Sequence, residues 1–378
     1  MFQICWSGLG MKDRFIPVTR SALPAFEEYH NLLLQVWSSG QMTNNGPLVK
    51  HLSIQLAKML GIKKLHLVAN GTLALQLAIK AFELQGDIIT TPYSYVATTS
   101  AILWENCAPI FVDVDSKSFC LNPDLIETSL TNKTTAILAT HVYGYPCDID
   151  RIQKIANKYK LKVIYDAAHS FNVRLHGQSL LNYGDCSILS FHATKLFHTV
   201  EGGAIICRDA DIARRAFLMS KFGHLGEDDY LELGINAKMS EFHAAMGLAL
   251  LPSVPEIIAS RRQCSAWYDE FLEDSGLQRP QVVDGLEYNY AYYPVVFKSH
   301  ERMMAVRTAL QEKGVFPRRY FYPSLNTLPF LPQELRRSCP VSESLAQRVL
   351  SLPLYVNLSQ KDVEFISNII NYALSFYG

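Results

Sequence analysis

A chain of 378 residues, 49% of them apolar, can bury a full core, and its length favours two domains or one large domain with an appendage. Lys plus Arg and Asp plus Glu number 35 each and cancel, with no long run of either sign, which excludes the electrostatics of a nucleic-acid or membrane-surface binder. Anionic substrates must therefore be met by local groups. The eight cysteines (Cys5, Cys107, Cys120, Cys147, Cys186, Cys207, Cys264, Cys339) are scattered without a CxxC pair and read as reduced thiols of a cytoplasmic protein. Residues 1–15 read as a flexible extension: Met1 to Gly10 lacks the basic leader and cleavage site of a signal peptide. No apolar run approaches bilayer-crossing length.

From about residue 60 to 205, short apolar runs alternate with helical patterns, the signature of an α/β fold with a mostly parallel sheet sandwiched by helices. Predicted strands are Lys64 to Val68, Asp87 to Thr90, Pro109 to Val112, Thr135 to Ala139, Lys162 to Tyr165, Cys186 to Ser190 and Gly203 to Cys207. Their near-continuous hydrophobicity predicts burial on both faces. Helices are predicted over Gly71 to Gln85, Ile149 to Tyr159 and Met239 to Leu250, the last ending before Pro252 and Pro255. Those prolines are taken to divide a large domain, 16–255, from a smaller C-terminal α/β domain, 256–378. The latter is expected to hold a helix from Ile257 to Ser275, a strand from Tyr292 to Phe297, and helices from Glu301 to Lys313 and Gln360 to Phe376.

Three segments carry chemistry. Leu67-Val-Ala-Asn70-Gly71-Thr72 is a strand that turns at once into a helix, leaving free NH groups beside a hydroxyl: a phosphate seat, or plain N-capping by Asn70 or Thr72. Val163-Ile-Tyr-Asp166-Ala-Ala-His169 delivers a carboxylate at a strand's C-terminal edge, where parallel sheets bind ligands. There Asp166 either holds a protonated heterocyclic nitrogen or caps a helix, and His169 either lies over a ring or is a core histidine. Ser190-Phe-His-Ala-Thr-Lys195 adds a hydroxyl and an amine at the end of an apolar run, suited to Schiff-base chemistry or, more simply, a surface lysine. In that order on a parallel sheet, the three are the parts a pyridoxal phosphate enzyme needs. Tyr93, just past another strand edge, is placed to stack on a ring. His192 and His198 flank Lys195 with no third metal ligand at a suitable spacing, so no metal is expected, and neither GxGxxG nor GxSxG occurs.

The run from Gly40-Gln-Met-Thr-Asn-Asn-Gly-Pro47 through Asn70-Gly-Thr72, Asp166-Ala-Ala-His169, Ser190-Phe-His-Ala-Thr-Lys195 and Gly234-Ile-Asn236-Ala-Lys-Met239 resembles the DegT-type nucleotide-sugar aminotransferases, within the fold type I pyridoxal 5'-phosphate enzymes. The resemblance implies Lys195 as the Schiff-base lysine and Asp166 on the pyridine nitrogen. It also implies Gly71, Thr72 and Ser190 on the phosphate, Tyr93 stacked on the ring and His169 near the ring hydroxyl, a position often held by glutamine. Asn236 is implied to reach the cofactor of a neighbouring subunit, hence a homodimer with shared sites. Thr43-Asn-Asn-Gly-Pro-Leu-Val, the string from His192 to Gly203 and Arg318-Arg-Tyr-Phe-Tyr-Pro323 are most similar to members that aminate carbon 4 of a dTDP-4-keto-6-deoxyhexose with L-glutamate as donor, although members that aminate carbon 3 share most of these motifs. For the nucleotide sugar, Lys238 and Arg318 or Arg319 are the candidate cationic contacts, with Tyr320 and Tyr322 lining the sugar or base. Arg318 and Arg319 read equally well as a solvated basic pair. His198 and Glu201 either face the sugar or fix the turn that aims Lys195. A lyase of free amino acids and a non-catalytic binding protein of the same fold are the competing functions.

Overall fold

The computed structural model describes residues 15–376. Residues 1–14, most of the expected flexible extension, lie outside the described residues. The central sheet has seven strands: β1 (His66–Val68), β2 (Asp87–Thr90), β3 (Ala108–Phe111), β4 (Thr134–Thr140), β5 (Lys162–Asp166), β6 (Cys186–Ser190) and β7 (Gly203–Cys207). Their order is β1-β7-β6-β5-β4-β2-β3. Only β7 runs against its neighbours, β1 and β6; the remaining pairs are parallel.

Alternation along the strands gives the sheet two cores, as their continuous apolar sequences predict. Ile137 and Ala139 of β4, with Val163 and Tyr165 of β5, face one cluster. Ala136, Leu138 and Ile164 face the other, with Leu75, Ala78 and Ile79 of the helix Gly71–Ala81. In register, Thr140 stands beside Asp166, Asp166 beside Ile188, and Ser190 beside Gly203. The carboxyl ends of β4, β5 and β6 thus form one edge, and the chemistry-bearing residues gather there.

Helix ends differ from expectation for local reasons. The helix from Gly71 stops at Ala81 because Glu83 adopts φ 54° and the Leu84 amide returns to the Ile79 carbonyl. The helix expected from Met239 begins at Glu241, where Ser240 accepts the His243 amide as N-cap. Pro252 and Pro255 mark the break between the helices Glu241–Leu250 and Val254–Phe271 and not a linker. The first lies in a short 3-10 turn, Leu251–Ser253, and the second in the first turn of the helix Val254–Phe271, where no amide is needed. That helix joins both regions, with Val254 and Ile257 against the large sheet and Cys264 and Tyr268 in the C-terminal core. Glu241–Phe271 is also the one stretch among the described residues long and apolar enough to cross a bilayer, against the sequence reading; interrupted by the turn and half buried, it serves as core.

In the C-terminal region the helices Val254–Phe271, His300–Glu312 and Gln360–Ser375 pack together beside the antiparallel pair Pro294–Val296 and Val349–Ser351. Ile16–Pro17, expected to open the large domain, instead pairs with Val315–Phe316, and Ile16 is buried in the C-terminal core. Nothing local in the sequence marks a pairing across some three hundred residues.

Candidate active site

A cavity of about 840 Å³ opens at the carboxyl edge of the sheet. Gly71, Thr72, Asp166, His169, Ser190 and Lys195 all line it, as do Arg318 and Tyr320 from the C-terminal region.

The phosphate seat is made by the abrupt passage from β1 to helix. Asn70 is extended, and its Oδ1 accepts the Leu73 amide at 2.8 Å, an N-cap worth about 1 kcal/mol. The first-turn amides beyond it stay at the helix's positive end. Gly71 is required: a Cβ there would stand 2.9 Å from Ser190 Cβ, closing the cradle between the helix and β6.

Asp166 ends β5 and is 5% exposed. Its Oδ2 accepts the Thr98 hydroxyl at 2.7 Å and its Oδ1 the Ala168 amide at 3.1 Å. Burial pushes its carboxyl above the usual range, opposed by these two hydrogen bonds and by the Lys195 charge. No ion pair reaches it among the described residues. A buried carboxylate without a cation in contact suits a protonated ring nitrogen.

His169 is 4% exposed; its Nδ1 accepts the Tyr143 amide at 3.2 Å, and its ring stacks on Phe321. Burial, then the Lys195 charge, hold its pKa well below the usual value, so it is neutral. Lys195 stands in the loop after β6, half-buried, its Nζ donating to the Tyr292 hydroxyl at 3.3 Å.

Other expectations need correction. Tyr93 does not face the cavity. It is fully buried, its hydroxyl 2.8 Å from that of Tyr143 and its ring edge-on to Phe119 and Phe321. Tyr95, two residues on, lines the cavity instead, at the extended position preceding the helix Val96–Trp104. Of the two aromatics in Thr91-Pro-Tyr-Ser-Tyr95, the one abutting the helix start turns outward, and that was the available signal. His198 is no sugar contact: 1% exposed, it donates from Nε2 to Ala22 O at 2.7 Å and accepts the Val200 amide at Nδ1, so it fixes the turn. Arg319 lies outside the cavity, donating to Ala346 O at the end of the helix Pro340–Arg348 and stacking on Tyr322, which also lies outside. Asn236 and Lys238 pair with each other at 2.6 Å, and neither lines this cavity. Sequence reasoning missed Thr98, Ser94, Tyr292 and Phe321, which converge here only through folding.

The Gly71 cradle, the uncompensated Asp166 carboxylate and Lys195 fit pyridoxal 5'-phosphate, so fold and site together define an α/β enzyme of the pyridoxal phosphate aminotransferase type. The chain belongs to the DegT/DnrJ/EryC1/StrS aminotransferase family, whose profile matches residues 25–371. It is 38% identical over 365 residues to a dTDP-4-amino-4,6-dideoxy-D-glucose transaminase of Shigella dysenteriae, covering 95% of this chain and 99% of that one. An Escherichia coli protein of the same name is 36% identical, again over 95% and 99%. Among solved structures, DesI in the presence of its TDP-sugar product superposes with a TM-score of 0.89 at 32% identity, covering 95% of this chain and 93% of that one.

Proposed function

We propose that this protein transfers the amino group of L-glutamate to carbon 4 of a dTDP-4-keto-6-deoxyhexose, giving dTDP-4-amino-4,6-dideoxy-D-glucose and 2-oxoglutarate. The observation that carries the reading is one cavity holding Lys195, the buried Asp166 carboxylate and the Gly71 helix start wedged against Ser190. The Shigella and Escherichia relatives support the choice of sugar.

Bound there, pyridoxal 5'-phosphate supplies an aldehyde to carry the amino group and a cationic ring to take up electron density. First-turn amides beyond Asn70, with the Thr72 and Ser190 hydroxyls, hold its phosphate. Asp166 would keep a proton on the ring nitrogen, and Thr98 and Ala168 aim the carboxylate that would do so. Tyr95 is the stacking aromatic, in place of Tyr93. Lys195 Nζ would take the proton from Cα of glutamate as general base and give it back as general acid to complete the transfer. Arg318, exposed at the cavity mouth, and Tyr320 meet the anionic and hydroxylated parts of the substrates. Asn236 and Lys238 serve the cavity of a second copy, in a cytoplasmic homodimer. The amino sugar is destined for a cell-surface polysaccharide such as O-antigen.

Glutamate added to the holoenzyme is expected to shift its absorbance to the pyridoxamine form; no shift would sink the transamination and favour a lyase or a binding protein. Product assays with dTDP-4-keto-6-deoxyglucose and its 3-keto isomer, followed by NMR of the amino sugar, then decide the carbon. Turnover of the 3-keto isomer alone would move the assignment to carbon 3.

A further inference from the structure

The segment Tyr288–Tyr292, which enters the C-terminal region, is held more firmly than a connection requires. Asn289, 1% exposed, donates from Nδ2 to His169 O at 2.9 Å and Phe171 O at 2.8 Å, and its Oδ1 accepts the Ala291 amide at 3.0 Å. This pins the segment to the stretch that follows Asp166. From the other side Arg261, 3% exposed on the helix Val254–Phe271, donates from Nη1 to Ala291 O at 3.1 Å. Its Nε has no partner, and it forms no ion pair among the described residues. A third tie is the Tyr288 hydroxyl, which donates to Tyr143 O at 2.9 Å.

These ties converge on Tyr292. Its ring is boxed by His169 edge-on at 5.0 Å, Tyr143 at 5.6 Å and Tyr320 edge-on at 5.9 Å. Its hydroxyl meets Lys195 Nζ. A buried guanidinium without a carboxylate is costly, and an apolar side chain would fill that space at less expense. What Arg261 secures in return is the position of the Ala291 carbonyl, one residue before Tyr292.

We propose that Tyr292 is a working part of the site and that Asn289 and Arg261 are positioning residues acting through it. Together they hold the Tyr292 hydroxyl at Lys195 Nζ, so that this nitrogen stays aimed both when it is joined to the cofactor and when it is detached. A phenol suits both states of the amine, accepting an N–H from the ammonium and donating its own proton to the neutral nitrogen's lone pair. No bond to carbon forms or breaks in this role. It rests on the reading of Lys195 as the cofactor lysine.

The test combines two readouts on the holoenzyme: the pH titration of the cofactor's absorbance and the single-turnover rate with glutamate. Tyr292→Phe, which keeps the ring, is expected to move the titration midpoint by about half a unit or more and to slow the single turnover about tenfold, with little change in melting temperature. Asn289→Ser should change both readouts in the same direction. Added to Tyr292→Phe it should slow the reaction less than about twofold further, because both act through one hydroxyl. If Asn289→Ser does not fold, Arg261→Lys, which keeps the charge and loses the planar fork, replaces it in the same cycle. Additive effects would overturn the positioning role, and an unmoved titration in Tyr292→Phe would overturn the whole inference. Wild-type enzyme that titrates normally yet gives no pyridoxamine form with glutamate would contradict the proposed function instead, leaving the titration to decide this one.

Discussion

At the floor of the cavity Asp166 is 5% exposed with both carboxylate oxygens hydrogen-bonded, and His169 is held neutral by burial. At the rim, Thr72, Tyr95, Glu201 and Arg318 are exposed, and Arg318 has no carboxylate in ion-pair contact among the described residues. The floor is assembled from strand ends and the turns just beyond them, and strand register sets where those turns start. Apart from Thr72, in the first turn of its helix, the rim comes from loops. The buried ionisable groups of the site thus sit on the rigid half, and its exposed side chains, Arg318 among them, sit on the adaptable half.

The largest effect expected is at the floor. Lys195→Ala should lower turnover by roughly 10³-fold or more and leave bound cofactor with the spectrum of a free aldehyde. A fully active, yellow Lys195→Ala protein would end the assignment of the floor altogether.

Asp166→Asn tests whether the floor trades stability for function. Its folded pKa lies above the unfolded value of 3.8, so its favourable contribution is complete below that value and is lost as pH rises through the folded pKa. The apoprotein therefore loses stability at this carboxyl as pH rises above 3.8. Apo Asp166→Asn should melt no lower than wild type at pH 7, while its single turnover with glutamate falls on the order of 10²-fold. A large drop in apo melting temperature would mean that the carboxylate is structural.

His141, wholly buried just past β4, extends the intolerance of charge. Burial lowers its pKa from 6.5 to about 3, so the stability it supports is present above pH 6.5 and is lost as pH falls below it. Its share of the decline is about 1.4 kcal/mol per pH unit. His141→Asn, which retains an acceptor for the Cys147 amide, should flatten urea-denaturation stability between about pH 6 and 4 by that amount. An unchanged slope would place the acid sensitivity elsewhere, with the similarly buried His169 next in line.

The smallest effects separate neighbours at the rim. Arg318→Ala should raise KM for an anionic substrate about tenfold with little change in melting. Arg319→Ala should leave KM alone and cost about 1 kcal/mol of stability, through lost hydrogen bonds to the helix Pro340–Arg348. The reverse pattern would exchange their roles.

The floor was legible in the sequence because each of its parts is a local event. An apolar run that ends in Asp166, a strand that breaks into a helix at Asn70-Gly71, and a lysine after a strand are each written in a few consecutive residues. Tyr93 and Tyr95 show the limit of this legibility. Both follow β2, and which one faces the cavity depends on the core formed by Phe119, Tyr143 and Phe321, which lies far away along the chain. For His198 and Arg319 the sequence left two readings open for the same reason, since their partners Ala22 and Ala346 lie 176 and 27 residues distant.

By itself the sequence determined the alternation of buried strands and helices, the carboxyl edge that carries Asp166 and Ser190, and Lys195 beyond it, because hydrophobic period and capping act over a few residues. Only the tertiary structure decided that Ile16 joins the C-terminal core, that Thr98 aims Asp166, and that Asn289 and Arg261 bring Tyr292 to Lys195. Those contacts join residues far apart in the chain, so burial and hydrogen bonding fix them only once the elements that carry them have packed.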